Sequence, residues 1–322
     1  MSNRCSFHKL NCPVNFPRLL ASISHELVPP VGNKVIHDGH IKVMVVGGPN
    51  HRTDYHVEMG EELFHQITGH MDLFVVVDGL HKCIRIEEGQ YFLLPAGIPH
   101  SPQRYHDSIG IVFERERLPG ELDAMRWYTT QQPAGQQTAP VGPVWYEDYF
   151  HCTNLGTQVK QAIDHFIAYQ QANPSQAMEE LQACRYPEDS PQLALHKKGA
   201  STAVGQAQSQ GALLKQSIPS GGGHILLQGA DFTLWSCQVS AEREIFASLS
   251  RQALCDGSTR DWTQCFCWQV VGEGFLRCGR ELVTVLKEED VVVLNREQFD
   301  ASEGEISFDL VGVVPYILCV LL

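Results

Sequence analysis

Residues 47–69 read GGPNHRTDYHVEMGEELFHQITG, and residues 90–104 read QYFLLPAGIPHSPQR. Around these two passages the chain is written in strand-length pieces. LFHQITG (63–69), MDLFVVVDG (71–79), HKCIRIEEG (81–89) and QYFLLPAG (90–97) each end in glycine, and SIGIVFERER (108–117) adds another. Short apolar runs at roughly ten-residue spacing point to an antiparallel sandwich or barrel. Asp78-Gly79, Glu88-Gly89 and Ala96-Gly97 supply the positive-φ positions that tight hairpins need. The stretch therefore predicts an all-β domain.

Working outward, FPRLLASISHEL (16–27) has helical spacing and is closed by Pro29-Pro30, while IKVMVVGG (41–48) reads as a buried strand. The Gln/Pro/Gly-rich run 131–143 reads as a surface loop, and LGTQVKQAIDHFIAYQQA (155–172) as a helix stopped by Pro174. Short helices are predicted at 178–185 and 191–198, followed by a flexible run at 199–211. After Gly223 the β pattern returns in HILLQG, FTLWSCQVS, FCWQVVGEG, FLRCGRE, LVTVLKEED, VVVLN, EISFDLVG and VPYILCVLL. This gives two β domains with a few peripheral helices: residues 1–170, a linker at 171–195, and residues 196–322. Beyond Gly223, His224 is the only histidine, so the second domain lacks a set of ligands like that of the first.

The net charge of −13 argues against nucleic acid and anionic membrane as partners, since both recruit basic surfaces. No run approaches the ~20 apolar residues of a membrane-spanning helix, and the N-terminus shows no secretory signal. A cytoplasmic protein is expected, its 11 scattered cysteines reduced. Cys265 and Cys267 share one face of a strand, but a metal there needs two further ligands that the sequence does not supply.

Seven of the 15 histidines fall between residues 51 and 106. His56, Glu62 and His100 form a candidate set of two imidazoles and a carboxylate, the facial donor set of mononuclear non-haem Fe(II) oxygenases. His56 and Glu62 lie six apart, an even spacing that faces one way along a continuous strand, although Gly60 intervenes. On spacing alone Glu61 competes with Glu62, and a chance meeting of polar residues in a β fold is the bland alternative. His51, His65, His70, His81 and His106 read as solvated or supporting side chains.

The motifs GGPNxRxDYHxExGEExFxQxxG, FLLPAxxPHSPQR and VxERERLxGExDxxRWY closely resemble those of the 3-hydroxyanthranilate 3,4-dioxygenase family. Here they read GGPNHRTDYHVEMGEELFHQITG, FLLPAGIPHSPQR and VFERERLPGELDAMRWY. The resemblance is strongest over residues 28–128. It implies a bicupin: two double-stranded β-helix (jelly-roll) barrels in a monomer, with iron in the first only. It implies His56, Glu62 and His100 as ligands of one Fe(II) per chain, with O2 as co-substrate and Arg52 near the dioxygen site. Arg104 and Glu114, beside Glu62, would hold the carboxylate and amine of 3-hydroxyanthranilate, with Asn50 and Gln66 as supporting groups. Two departures from the family stand out: Gly97 replaces a larger residue, and the loop at 131–143 and the region 174–222 look expanded or divergent. Against the generic cupin motif, Asp54 stands where a ligand histidine is usual, which leaves three ligands rather than four. Other readings are a cupin dioxygenase with a related substrate, or a metal-binding cupin without catalysis.

Overall fold

The computed structural model describes residues 12–28, 32–50, 52–131, 136, 138–173, 223–238, 246–248, 252–253, 259–260, 263–278, 281–295, 297 and 306–321. The chain divides into two compact units, one of Met1–His25, Lys34–Met44 and Ala212–Leu322, the other of Glu26–Asn33 and Val45–Gly211. Most of the linker at 171–195, the helices at 178–185 and 191–198, and the run 199–211 lie outside the described residues.

In chain order the N-terminal elements are β1 (Val14–Asn15), α1 (Phe16–Ile23), β2 (Asn33–Asp38), β3 (Ile41–Gly47), β4 (Tyr55–Val57), β5 (Glu62–Thr68), β6 (Met71–Val77) and β7 (Leu80–Ile86). They are followed by β8 (Tyr91–Leu94), β9 (His100–Arg104), β10 (Ile109–Arg115), β11 (Asp123–Tyr128), β12 (Thr138–Pro140), β13 (Val144–Phe150) and α2 (Leu155–Ala172). Both helices begin where the sequence places them. Asn15 caps α1 by accepting from the Arg18 N–H, and Asn154 caps α2 by accepting from the Thr157 N–H. Among the described residues no helix is long and apolar enough to cross a membrane.

The unit carrying residues 45–211 is built from antiparallel strands. One sheet runs β12-β7-β6-β9-β4-β11-β13, and a second layer contains the order β10-β5-β8. Leu63, Leu73, Val57, Ala124 and Ile111 are fully buried. Helix α2 packs on β13 and β11 through Phe166, which stacks on Trp127 at 4.2 Å and touches Trp145, Tyr146 and the Ala162 side of the same cluster. Part of the loop expected at 131–143 is instead strand β12, paired to β7 from Thr138↔Lys82 to Pro140↔Leu80. β12 ends the strand order, and only such an edge tolerates a proline without losing a ladder bond.

The other unit holds β14 (Gly223–Gln228), β15 (Thr233–Gln238), β16 (Phe246–Ser248), β17 (Gln252–Ala253), β18 (Thr259–Arg260), β19 (Gln264–Cys278), β20 (Glu281–Leu286), β21 (Asp290–Asn295) and β22 (Ile306–Leu321). The order is β1-β21-β19-β22-β15-β14, with β16 on β22 and β20 on β19. The segments FCWQVVGEG and FLRC join as one strand, β19, and the two segments around Pro315 join as β22. The physical reason is a pair of register shifts at Gln269/Val271 and Val271/Glu273, with Gly272 at φ +77°. Glycine and proline there serve a bulge inside a strand, not a turn between two. Cys265 and Cys267 do lie on one face, buried, with their sulfurs 3.5 Å apart.

Phe166 is 7% exposed and packs between Trp127 and Trp145, so Phe166→Ala leaves a cavity under α2. A loss of about 3 kcal/mol in unfolding free energy is expected by urea titration.

Candidate metal centre

His56 lies on β4 and His100 on β9, and antiparallel pairing sets them directly opposite each other, His56↔His100. Glu62 opens β5 in the other layer, paired with Leu94 on one side and Glu114 on the other. The three candidate ligands therefore do not converge by strand parity. The turn at 58–61 carries the chain from one layer to the other, and side chains from the two layers meet between them. Ligand atoms of His56, Glu62 and His100 all lie within 4.8 Å of one another, and all three residues are buried. Glu61 is not in this group.

Each imidazole is oriented by its outer nitrogen. His100 donates from Nδ1 to the Ile98 carbonyl at 3.0 Å, leaving Nε2 2.8 Å from Glu62 Oε1. His56 donates from Nε2 to Asp123 Oδ2 at 2.8 Å, leaving Nδ1 facing Glu62 Oε1 at 3.9 Å. Glu62 Oε1 is buried and, despite the close Nε2, makes no properly directed hydrogen bond. The inward ring nitrogens of His56 and His100 and the buried Glu62 Oε1, aimed at one another, form a donor set that a divalent metal fits. Burial opposes the charge on Glu62, but His100 and His56 outweigh it and hold its carboxyl down at about 2.

Two residues without a role in the sequence reading complete this side. Asp123 starts β11, two residues before Met125, the Cα partner of His56, and so shares the face on which His56 projects. Arg117 binds both Asp123 oxygens, through Nε at 3.0 Å and Nη2 at 2.7 Å, and binds Glu114 Oε2 through Nη1 at 2.7 Å. Burial disfavours the Asp123 charge, yet Arg117 and His56 keep its carboxyl well below the usual range. Glu58 sits 2.8 Å from Arg117 Nη2 but has no directed hydrogen bond, and burial pushes its carboxyl well up. Both residues stand in the quoted motifs, Asp123 in GELDAMRWY and Arg117 in ERER, which was the signal available for them.

The predicted substrate residues are buried, not solvated at an edge. Arg104 is 3% exposed and Glu114 2%. Arg104 and His100 lie four apart on β9, as Glu62 and Gln66 do on β5, so Arg104 and Gln66 share the strand faces of His100 and Glu62, farther along each strand. Its only side-chain hydrogen bond among the described residues is a long one, 3.4 Å, to Gln66 Oε1, and no carboxylate pairs with it. Burial and the nearby Arg52 charge lower its pKa to about 10. Gly110, opposite Gln66, makes room: a Cβ there would lie 2.8 Å from Arg104 Nη1. Asn50 accepts from the Arg104 N–H at 2.7 Å and donates to the Pro102 carbonyl at 2.9 Å. Asn50 and Gln66 thus bond Arg104 and, among the described residues, make no hydrogen bond to His56, Glu62 or His100. Arg52 is held by Asp54, at 2.9 Å from Nε, and Asp54 is not in any of the donor groups around His56.

The remaining histidines divide by burial. His106 is exposed, and His70 packs on Tyr105. His81, expected to be solvated or supporting, is fully buried on Tyr55 OH at 2.9 Å. His51 lies outside the described residues. Gly97 adopts φ +76°, the left-handed turn conformation in which glycine is unstrained.

His65 stacks on Tyr91 at 3.8 Å, and burial depresses its pKa from 6.5 to about 4. Between those values the unfolded chain binds the proton and the folded chain does not, so stability falls as pH drops through that window. The loss reaches at most ~3 kcal/mol. His65→Gln should flatten the acid limb of the stability profile between those two pH values, measured by denaturant unfolding.

The sequence model of the family described as 3-hydroxyanthranilic acid dioxygenase matches residues 10–167. A 3-hydroxyanthranilate 3,4-dioxygenase of Yarrowia lipolytica is 47% identical over 154 residues, covering 48% of this chain and 86% of the relative. One from Pyricularia oryzae is 46% identical over 157 residues, covering 49% and 83%. One from Xenopus laevis is 44% identical over 158 residues, covering 49% of this chain and 53% of the relative, so the match spans about half the length of such vertebrate relatives. With the family model spanning the segment that holds His56, Glu62, His100, Arg104 and Glu114, and fungal relatives matched over more than four fifths of their length, the chain belongs to the 3-hydroxyanthranilic acid dioxygenase family.

Proposed function

We propose that this protein is an Fe(II)-dependent dioxygenase that opens the ring of 3-hydroxyanthranilate between C3 and C4. Both atoms of O2 enter the product, 2-amino-3-carboxymuconate semialdehyde, on the route from tryptophan and kynurenine to quinolinate and NAD. The observation that carries this reading is a three-donor site with, four residues from His100 on the same strand, Arg104, a buried guanidinium that no carboxylate among the described residues neutralises. His56, Glu62 and His100 would hold one iron. Bound there, iron supplies redox activation of O2 and Lewis-acid polarisation of the substrate's phenol.

The chain's own residues bind and orient. Arg104 is suited to a carboxylate, because a planar guanidinium donates in a bidentate fork and an uncompensated buried cation gains most from an anion. Glu114, held by Arg117 at 2.7 Å, is placed to accept from the ring amine. Arg52 contributes positive charge toward the oxygen-binding side, its plane fixed by Asp54. Chemistry of this kind depends on positioning, and rigid strands supply it. We read residues 1–170 as the catalytic cupin, 171–195 as linker and 196–322 as a metal-free second cupin, in a monomeric cytoplasmic protein.

The test is anaerobic loading with Fe(II), then 3-hydroxyanthranilate and air, following oxygen uptake and the ring-opened product. One equivalent of O2 per product is expected; tight iron binding without uptake would point to another substrate. His56→Ala should lose iron, measured by metal analysis after gel filtration, and normal iron content in that variant would refute the ligand set. Arg104→Ala should keep its iron while KM rises about 100-fold, the size expected when a buried charge-assisted pair is removed.

A further inference from the structure

We propose that Arg117 is a positioning residue that locks the metal side and the substrate side of the site to one guanidinium plane. Through Asp123 it fixes the ring of His56, and through Glu114 it fixes the carboxylate that meets the substrate's amine. The inference rests on the metal-centre and substrate readings above and assigns a role to a residue that neither uses.

The geometry is specific. Nε and Nη2 of Arg117 reach the two oxygens of Asp123, and Asp123 Oδ2 also accepts from His56 Nε2. Nη1 reaches Glu114 Oε2 at 2.7 Å and the Arg115 carbonyl at 3.1 Å. The Arg117 side chain is 1% exposed, and those of its three carboxylate neighbours, Glu58, Glu114 and Asp123, are between 0% and 3%. Two other donor groups in the pocket, His56–Glu58–Asp123 and Glu58–Glu62–Glu114, are close enough to hold an ion. Both are already served by this guanidinium, which lies against Glu58, Glu114 and Asp123 and leaves His56–Glu62–His100 as the set facing a metal. A guanidinium binds Asp123 and Glu114 in a fixed relative orientation because its donors are coplanar; a lysine ammonium, a single rotating point, cannot. The imidazole and the Glu114 carboxylate are therefore oriented together.

The experiment uses the full chain, stripped of metal and refilled with Co(II), with affinity read by chelator competition, site geometry by the Co(II) absorption spectrum, and KM for 3-hydroxyanthranilate on the Fe(II) form. Asp123→Asn should weaken Co(II) binding about 10–100-fold and alter the spectrum, with KM changing less than about threefold. Arg117→Lys should weaken Co(II) binding by at least about tenfold and also raise KM by at least about tenfold. Where Arg117→Lys does not fold by circular dichroism, the Arg117→Gln/Glu58→Gln pair, which removes one charge of each sign, decides by the same two readouts. A folded variant at Arg117 with wild-type Co(II) affinity and spectrum, or with only one side of the site affected, overturns the coupling. A wild-type chain that takes up no Co(II) overturns the metal-centre reading and this inference with it, which separates the two failures.

Discussion

Buried charge must be compensated, and this unit buries four carboxylates in one place: Glu58, Glu62, Glu114 and Asp123. Against them stand one guanidinium, Arg117, and two imidazoles. The balance is visible in how each acid responds. Asp123 and Glu62, in contact with Arg117 or the histidines, are held low; Glu58 and Glu114 are pushed up by burial that Arg117 only partly offsets. Arg117 itself, desolvated but ringed by acids, is held firmly protonated. More acids than cations share this volume, and a divalent ion would let them keep their charge where burial alone pushes two of them toward the neutral form.

Farther along β9 the buried charge has the opposite sign. Arg104 brings a positive charge into the interior and receives only amide help from Gln66, with Asn50 pinning its backbone. Gly110 is part of the same device, since any side chain there would meet the guanidinium. The fold thus gathers acids where a metal would sit and leaves a buried cation on the same strand as His100 where an anion would fit. Antiparallel registers hold the two apart: a one-residue slip of β5 or β9 would turn Glu62 and Gln66, or His100 and Arg104, to the opposite face.

Much of this was readable along the chain. Helix α2 spans the residues its apolar spacing marks, because Asn154 caps it and Ala162 and Phe166 face the sheet. The glycine-terminated strands from β5 to β8 fall where the hairpin signals place them, and His56, Glu62 and His100 of the motif do gather in space. Other features were hidden for local reasons. The bulges at Gln269–Glu273 made one strand look like two, since glycine marks a turn and a bulge alike. Strand β11 lacks an alternating pattern, being buried on both faces at Asp123–Met125 and Trp127–Tyr128. His81 carries no sign of its burial, because a histidine paired with a tyrosine hydroxyl looks in sequence like one in solvent.

The sequence by itself determined the chemistry: which donors are present, in what motif, and that short antiparallel strands would carry them. Donor type and turn residues are local properties, so a linear text can hold them. Only the tertiary structure decided that His56 and Glu62 meet from different layers, that Asp123 bonds His56 while Asn50 and Gln66 bond Arg104, and that among the described residues Arg104 has no acid partner while Arg117 takes three. Those facts depend on cross-strand register and on which charges share one desolvated volume. Neither quantity is carried by any residue until the sheets have closed on each other.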